Sequence, residues 1–193
     1  MTKLVALVAV LAISACGVPS ASKVVPLSES ELPPELSEQT TTTSTTTTVL
    51  VTEPVELYYI SANRVVATTL TIVSPATTSQ VLAALIAGPP TGDNGLGLRS
   101  ALPTSLSAEI KISKGIAQID TTAQFLSSLS PIDQRLAIAQ LVMTFTRRPG
   151  IGQVIFTVDG ANVAVPRGRG NLATPGSAVS FDDYSSLLVA PTG

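Results

Sequence analysis

Proton-transfer chemistry in this chain would have to rest on carboxylates, because histidine is absent from its 193 residues. The usual base for serine or cysteine nucleophiles is therefore missing, and so is the commonest metal ligand. From Val55 onward the carboxylates are Glu56, Asp93, Glu109, Asp120, Asp133, Asp159, Asp182 and Asp183. A glycosidase-type reaction needs two of them facing each other across a cleft, one giving and one taking a proton. Most fall instead at turns or helix starts, where a carboxylate accepts backbone N–H groups. Asp120 closes a strand-like run and is placed to cap the turn into 121–125. Asp182-Asp183 offers oxygens to calcium, but two adjacent carboxylates do not make an EF-hand loop. The glycine-rich GDNGLG at 92–97 lacks the lysine of a phosphate loop and the spacing of a dinucleotide fingerprint. Arg167-Gly168-Arg169-Gly170 is a single copy of an RNA-binding type of repeat and reads as a solvated loop. Charged residues make up 12% of the chain and the net charge is −2, a composition with no electrostatic hold on nucleic acid. The expectation is a chain with no catalytic residue, no cofactor, no metal and no nucleic-acid partner.

One side chain does carry covalent chemistry. Lys3 precedes an apolar run from Leu4 to Ile13, which is too short to span a bilayer but suits a secretory signal. The run ends in Ile13-Ser14-Ala15-Cys16, a bacterial lipobox pattern built on the only cysteine. Cleavage after Ala15 leaves Cys16 as the new N-terminus, with diacylglycerol on its sulfur. Two acyl chains anchor stably where one does not. The chain is thus expected to lie outside the cytoplasm, held to the outer face of the cell membrane by lipid on Cys16. A lone cysteine also excludes an intramolecular disulfide or a cysteine-cluster metal site.

These residues divide the chain into a signal at 1–15, a lipidated tether at 16–54 and a folded domain at 55–193. The tether is rich in Ser, Pro, Thr and Glu and ends in a threonine run from Thr40 to Thr48, so it has little to bury. In the domain, Val55–Ile60 and Arg64–Val73 read as strands joined by a turn at Ser61-Ala62-Asn63. A helix is predicted over 77–87, with Val81, Leu82, Leu85 and Ile86 on its apolar face and Gly88-Pro89-Pro90 as its stop. Ala108–Ser113 and Gly115–Thr121 form a second hairpin around Lys114.

The stretch that organises the rest runs from Ser130 to Gly160. Ser130 caps a helix that Pro131 opens, and Asp133 sits at the acidic position of a capping box. Ile138, Leu141, Val142 and Phe145 make one helical face, and Pro149-Gly150 ends the run. From Gln153 the period becomes two, with Val154, Phe156 and Val158 on one side of a strand. Asp159-Gly160 then turns the chain toward 161–165. Ile132, Leu136, Ala139 and Met143 form a second apolar stripe roughly opposite the first. Either the alanine side of the first helix covers it, or it is a partner-binding or self-association surface, in which case Ile132, Leu136 and Met143 are the interface residues.

The segment AQLVMTFTRRPGIGQVIFTVDG at 139–160 resembles the helix-to-strand signature of the GerMN domain, found in spore-germination proteins and in actinobacterial lipoproteins of the LpqB type. VELYYI, LIAGP, GLRSALP, GIAQIDTT and DDYSSLL agree with it in order, so the resemblance runs from Glu56 to Leu188. It implies a single compact domain similar to the ring-building domains of sporulation channels and secretion systems, hence an interaction or assembly module of the envelope. The element order β-β-α-β-β-α-β-β by itself reads as α+β, with two helices on one face of a mostly antiparallel sheet. Two other functions fit such a lipoprotein: a lipid or small-ligand carrier, which needs an apolar cavity between sheet and helices, and a cell-wall hydrolase, which needs a convergent carboxylate pair.

Overall fold

The computed structural model describes residues 50–189. The signal run, the lipobox with Cys16 and the tether as far as residue 49 lie outside the described residues.

Strand β1 (Thr52–Ser61) pairs antiparallel with β2 (Arg64–Val73) along its whole length, from Thr52↔Val73 to Ser61↔Arg64. Ala62 and Asn63 close the hairpin with φ of 46° and 62°, the left-handed pair that matches the twist of two strands joined by two residues. Helix α1 (Thr78–Ala87) starts from a reciprocal cap, in which Thr77 Oγ1 accepts from the Gln80 N–H and Gln80 Oε1 accepts from the Thr77 N–H. After a 3₁₀ turn at Asp93–Gly95, β3 (Ala108–Ser113) and β4 (Ile116–Thr121) form the second hairpin. A short α2 (Gln124–Ser127), which no sequence signal announced, leads into α3 (Pro131–Thr146). Strand β5 (Gln153–Val158), β6 (Ala161–Asn162) and a 3₁₀ segment at Phe181–Leu187 complete the chain.

The class is α+β and most strand pairs are antiparallel, as the element order indicates. The strands divide between two sheets, however: β1-β2, and a four-stranded sheet in the order β3-β4-β5-β6. β4 and β5 are parallel, because the chain between them returns through α3 and a crossover helix brings a strand back in the same direction. β6 is two residues long and does not extend to Val165. Upstream of the Thr157↔Asn162 pair, the free side of β5 is taken by Val179, whose N–H and C=O both bond Val154 at 2.8 Å.

α3 packs against β1, β2, β5 and the 3₁₀ segment, so it touches both sheets. Every residue from Leu136 to Phe145 is buried. The principal neighbour of α1 is β1, so its alanine side is not the main cover of the second stripe. A helix enclosed by two sheets needs apolar residues all round, which accounts for two stripes where one sheet would need one. The polar residues in that run also have tasks. Thr144 Oγ1 accepts from the Tyr58 N–H at 3.2 Å, and Gln140 Oε1 accepts from the Ala101 N–H at 2.7 Å. Ile60 exchanges two backbone bonds with Arg99 on the same edge of β1. Side chains of α3 and a loop thus satisfy an edge that would otherwise need a third strand.

Candidate interaction surface

The carboxylates hold turns and caps in separate parts of the domain. Asp120 Oδ1 accepts from Thr157 Oγ1 at 2.5 Å and from the Gly160 N–H at 2.9 Å. It therefore holds the β5-β6 turn, and the turn at 121–125 that the sequence suggested for it is closed by the Phe125 N–H on Thr122 C=O instead. Asp133 accepts from Ser130 Oγ at 2.8 Å and from Arg99 at 2.9 Å. Asp183 caps the 3₁₀ segment through the Ser180 N–H at 2.8 Å and lies 3.4 Å from Arg167, so the Asp182-Asp183 pair has one member committed to the backbone. Glu56 accepts from the Tyr58 hydroxyl at 2.5 Å. Arg147 sits 3.3 Å from Glu56 and stacks 4.3 Å from the Phe181 ring, which ties the C-terminal segment to the end of α3. Tyr184 is fully buried beside it and donates to Pro166 C=O at 3.0 Å, in keeping with a packing role.

Composition places Glu53 in the tether, but it belongs to β1. It accepts from Ser74 Oγ at 2.9 Å and from the Ala76 N–H at 3.1 Å, with Arg148 at 3.5 Å. These bonds hold its carboxyl below the ordinary range, Ser74 first and Ala76 next. Asp120 is lowered mainly by Thr157, and Asp133 mainly by Ser130. A carboxyl depressed in the folded state stabilises the fold above its unfolded pKa and loses that contribution as pH falls through the folded value. The melting temperature should therefore be flat from neutral pH to about 5 and fall below about pH 4. Glu53→Gln should make that fall shallower; an unchanged acid limb in titrated melts would remove Glu53 from the account.

Of the three residues that the second stripe offered as an interface, Leu136 and Met143 are fully buried and cannot meet a partner. Ile132 remains. It is 51% exposed at the first turn of α3, and with Pro131, Pro166 and the 67% exposed Leu172 it borders a hollow of about 290 Å³. A more extended opening lies between α1 and β3. There Ser79, Leu82, Ala83 and Ile86 face Leu106, Ala108 and Ile110 across a groove of about 500 Å³. β3 is the terminal strand of its sheet, and among the described residues its outer edge has no backbone partner. Ile112 on the same strand is 50% exposed. The sequence reading missed this groove, because alternation marks a strand without saying which strand lies at the edge.

The Germane family, described as sporulation and spore germination, matches residues 55–164, more than half of the chain. The chain belongs to this family. No curated protein matches it. Among solved structures, the tandem GerMN domains of the sporulation protein GerM from Bacillus subtilis align at 25% identity and a TM-score of 0.53, over 68% of this chain and 47% of that one. The described Germane-type fold thus spans about half the length of that relative. The first GerMN domain of GerM alone aligns at 21% identity and a TM-score of 0.49, over 67% of this chain and 98% of its own. A Clostridium perfringens protein described as a candidate lipoprotein gives 18% and 0.46, over 73% of this chain and 95% of its own.

The Germane match ends before the 3₁₀ segment at Phe181–Leu187, although that segment packs on α3 as the strands do. In this chain the family core and the residues after it form one hydrophobic cluster, with Tyr184 and Leu187 joined to Leu136–Phe145.

Proposed function

We propose that this Germane-family chain is a lipid-anchored extracytoplasmic protein whose domain acts as a non-enzymatic interaction module of the cell envelope. The observation that carries the proposal is the edge of β3, unpaired among the described residues, beside the groove under α1, an arrangement that receives an extended strand by backbone hydrogen bonds and side-chain contacts. Two further observations favour it over the carrier and hydrolase readings. The space between the two sheets is filled by Leu136–Phe145, and the opening between α1 and β3, where a carrier would keep its cavity, is a solvent-open groove lined by Ser79, Ser107 and Glu109 as well as by apolar side chains. Asp120, Asp133 and Asp183 are each engaged in a separate cap or turn and do not converge on a cleft. No described helix is long and apolar enough to cross a membrane. Attachment is assigned to the lipobox at Ile13-Ser14-Ala15-Cys16.

Two measurements test the proposal in cells. Cys16→Ala should move the chain out of the lipoprotein fraction, and quantitative retention there would remove the lipid anchor. A photo-crosslinking side chain at Ala83, in the groove, should yield a discrete protein adduct in the native membrane, while one at the exposed Thr69 of β2 should not. If the groove probe captures no protein of any kind, the interaction module is wrong.

A further inference from the structure

The groove edge carries enough detail to name its partner. Lys114 and Gly115 close the β3-β4 hairpin as a two-residue turn, so Ser113 and Ile116 exchange hydrogen bonds beside it. Every second residue back along β3 then turns its N–H and C=O the other way. Ile112, Ile110 and Ala108 therefore present theirs to the open edge, and their side chains share the face that borders the groove.

We infer that this edge pairs antiparallel with the same edge of a second copy, about a two-fold axis through Ile110. In that register Ile110 meets Ile110, Ala108 meets Ile112, and all the outward backbone groups of the three residues are satisfied. Glu109 falls directly opposite Lys111 of the second copy, twice per interface, in the pair type where side chains approach most closely. Within one chain these two side chains are 3.4 Å apart and 67% and 70% exposed, a contact that contributes little by itself. Moving the axis one position along the strand in either direction sets Lys111 against Lys111 or Glu109 against Glu109, which is unfavourable. The charge pattern thus selects one register, and it is complementary to itself. The same register places the exposed Ile112 of each copy opposite Ala108 of the other, against the groove beneath Leu82 and Ile86, so that each copy supplies both a knob and a hole. The contact is isologous and closes as a dimer.

This partner assignment rests on the interaction reading above, and its test separates the two. Sedimentation velocity of the full chain, in detergent matched to the density of the solvent, should show a concentration-dependent dimer. Glu109→Lys and Lys111→Glu each create two like-charge contacts and should each raise the dissociation constant at least about tenfold. Both positions are exposed, so melts of the two variants should match the parent chain. An equimolar mixture of the two variants restores opposite charges at both contacts and should recover dimers. A parent chain that stays monomeric at every concentration overturns the proposal, as do dimers indifferent to both swaps or swaps that mixing does not rescue. Should the Ala83 probe capture a different protein while the parent chain is monomeric, the second copy is excluded and the interaction module stands; should both experiments fail, both fall.

Discussion

Leu136→Asp is expected to abolish the cooperative melt of the domain. Leu136 has no exposed surface, lies in the middle of a helix buried from residue 136 to 145, and has both sheets around that helix. A carboxylate placed there would lie in the hydrophobic cluster that includes Ala137, Ile138 and Ala139. Leaving a charge buried and unpaired costs several kcal/mol, a large part of the roughly 5–15 kcal/mol that holds a typical domain. The milder Leu136→Ala should cost roughly 2–5 kcal/mol through lost contacts and a residual cavity. Ile132→Asp supplies the contrast: it lies on the same stripe but is 51% exposed, and should melt within about 0.5 kcal/mol of the parent. Circular dichroism melts of the three variants decide the matter. Near-parental stability of Leu136→Asp would mean that α3 is not enclosed as described.

Gln140→Leu should produce the next largest loss, although it puts an apolar residue at a fully buried position. Gln140 has no exposed surface, and its side-chain oxygen is the acceptor for the Ala101 N–H at 2.7 Å, with its amide donating to Ser100 Oγ at 3.3 Å. Leucine fills similar space but leaves the Ala101 N–H without an acceptor, at a cost of about 1–3 kcal/mol. The loss should be local before it is global, with hydrogen exchange at the Ala101 amide accelerating more than exchange in β4 or β5. Thr144→Val should act in the same way on the Tyr58 amide. Unchanged protection at Ala101 in Gln140→Leu would show that water or another group can replace the glutamine.

The residues around α3 separate what is local in this protein from what is not. Ser130, Pro131 and Asp133 announce the helix start, and in the structure Ser130 Oγ accepts from the Asp133 N–H at 3.2 Å. Apolar spacing announces the helix, and Gln153–Val158 announces the following strand at its observed bounds. Both hairpin turns are legible to within one residue for the same reason, since their residues are neighbours in the chain: Ser61, read as part of the first turn, belongs to β1, and Gly115, read as the start of a strand, completes the second turn. Even the second stripe was visible, because the angle between side chains on a helix follows from residue number alone.

Which elements cover that stripe was not legible. Both stripes are apolar, and the answer depends on two sheets closing over one helix, where the sequence suggests a single sheet with helices on one face. Asp120 shows the same limit. Its position at a strand end implied a cap on the next turn, yet its partner is Gly160, 40 positions away, and β4 and β5 had to be set side by side before the two could meet. Gln140 and Ala101 are 39 positions apart and become a pair only when α3 lies along the edge of β1. The sequence by itself determined the long strands and helices, their order, the cap at Ser130 and the places of the hairpin turns, though not α2, because each depends on dihedral preferences or spacing within about one turn of chain. Only the tertiary structure decided that Leu136 and Met143 are interior, that Ile132 is not, and that β3 is an open edge among the described residues. Burial and edge position are properties of what packs against a residue, and in this domain those neighbours come from distant parts of the chain.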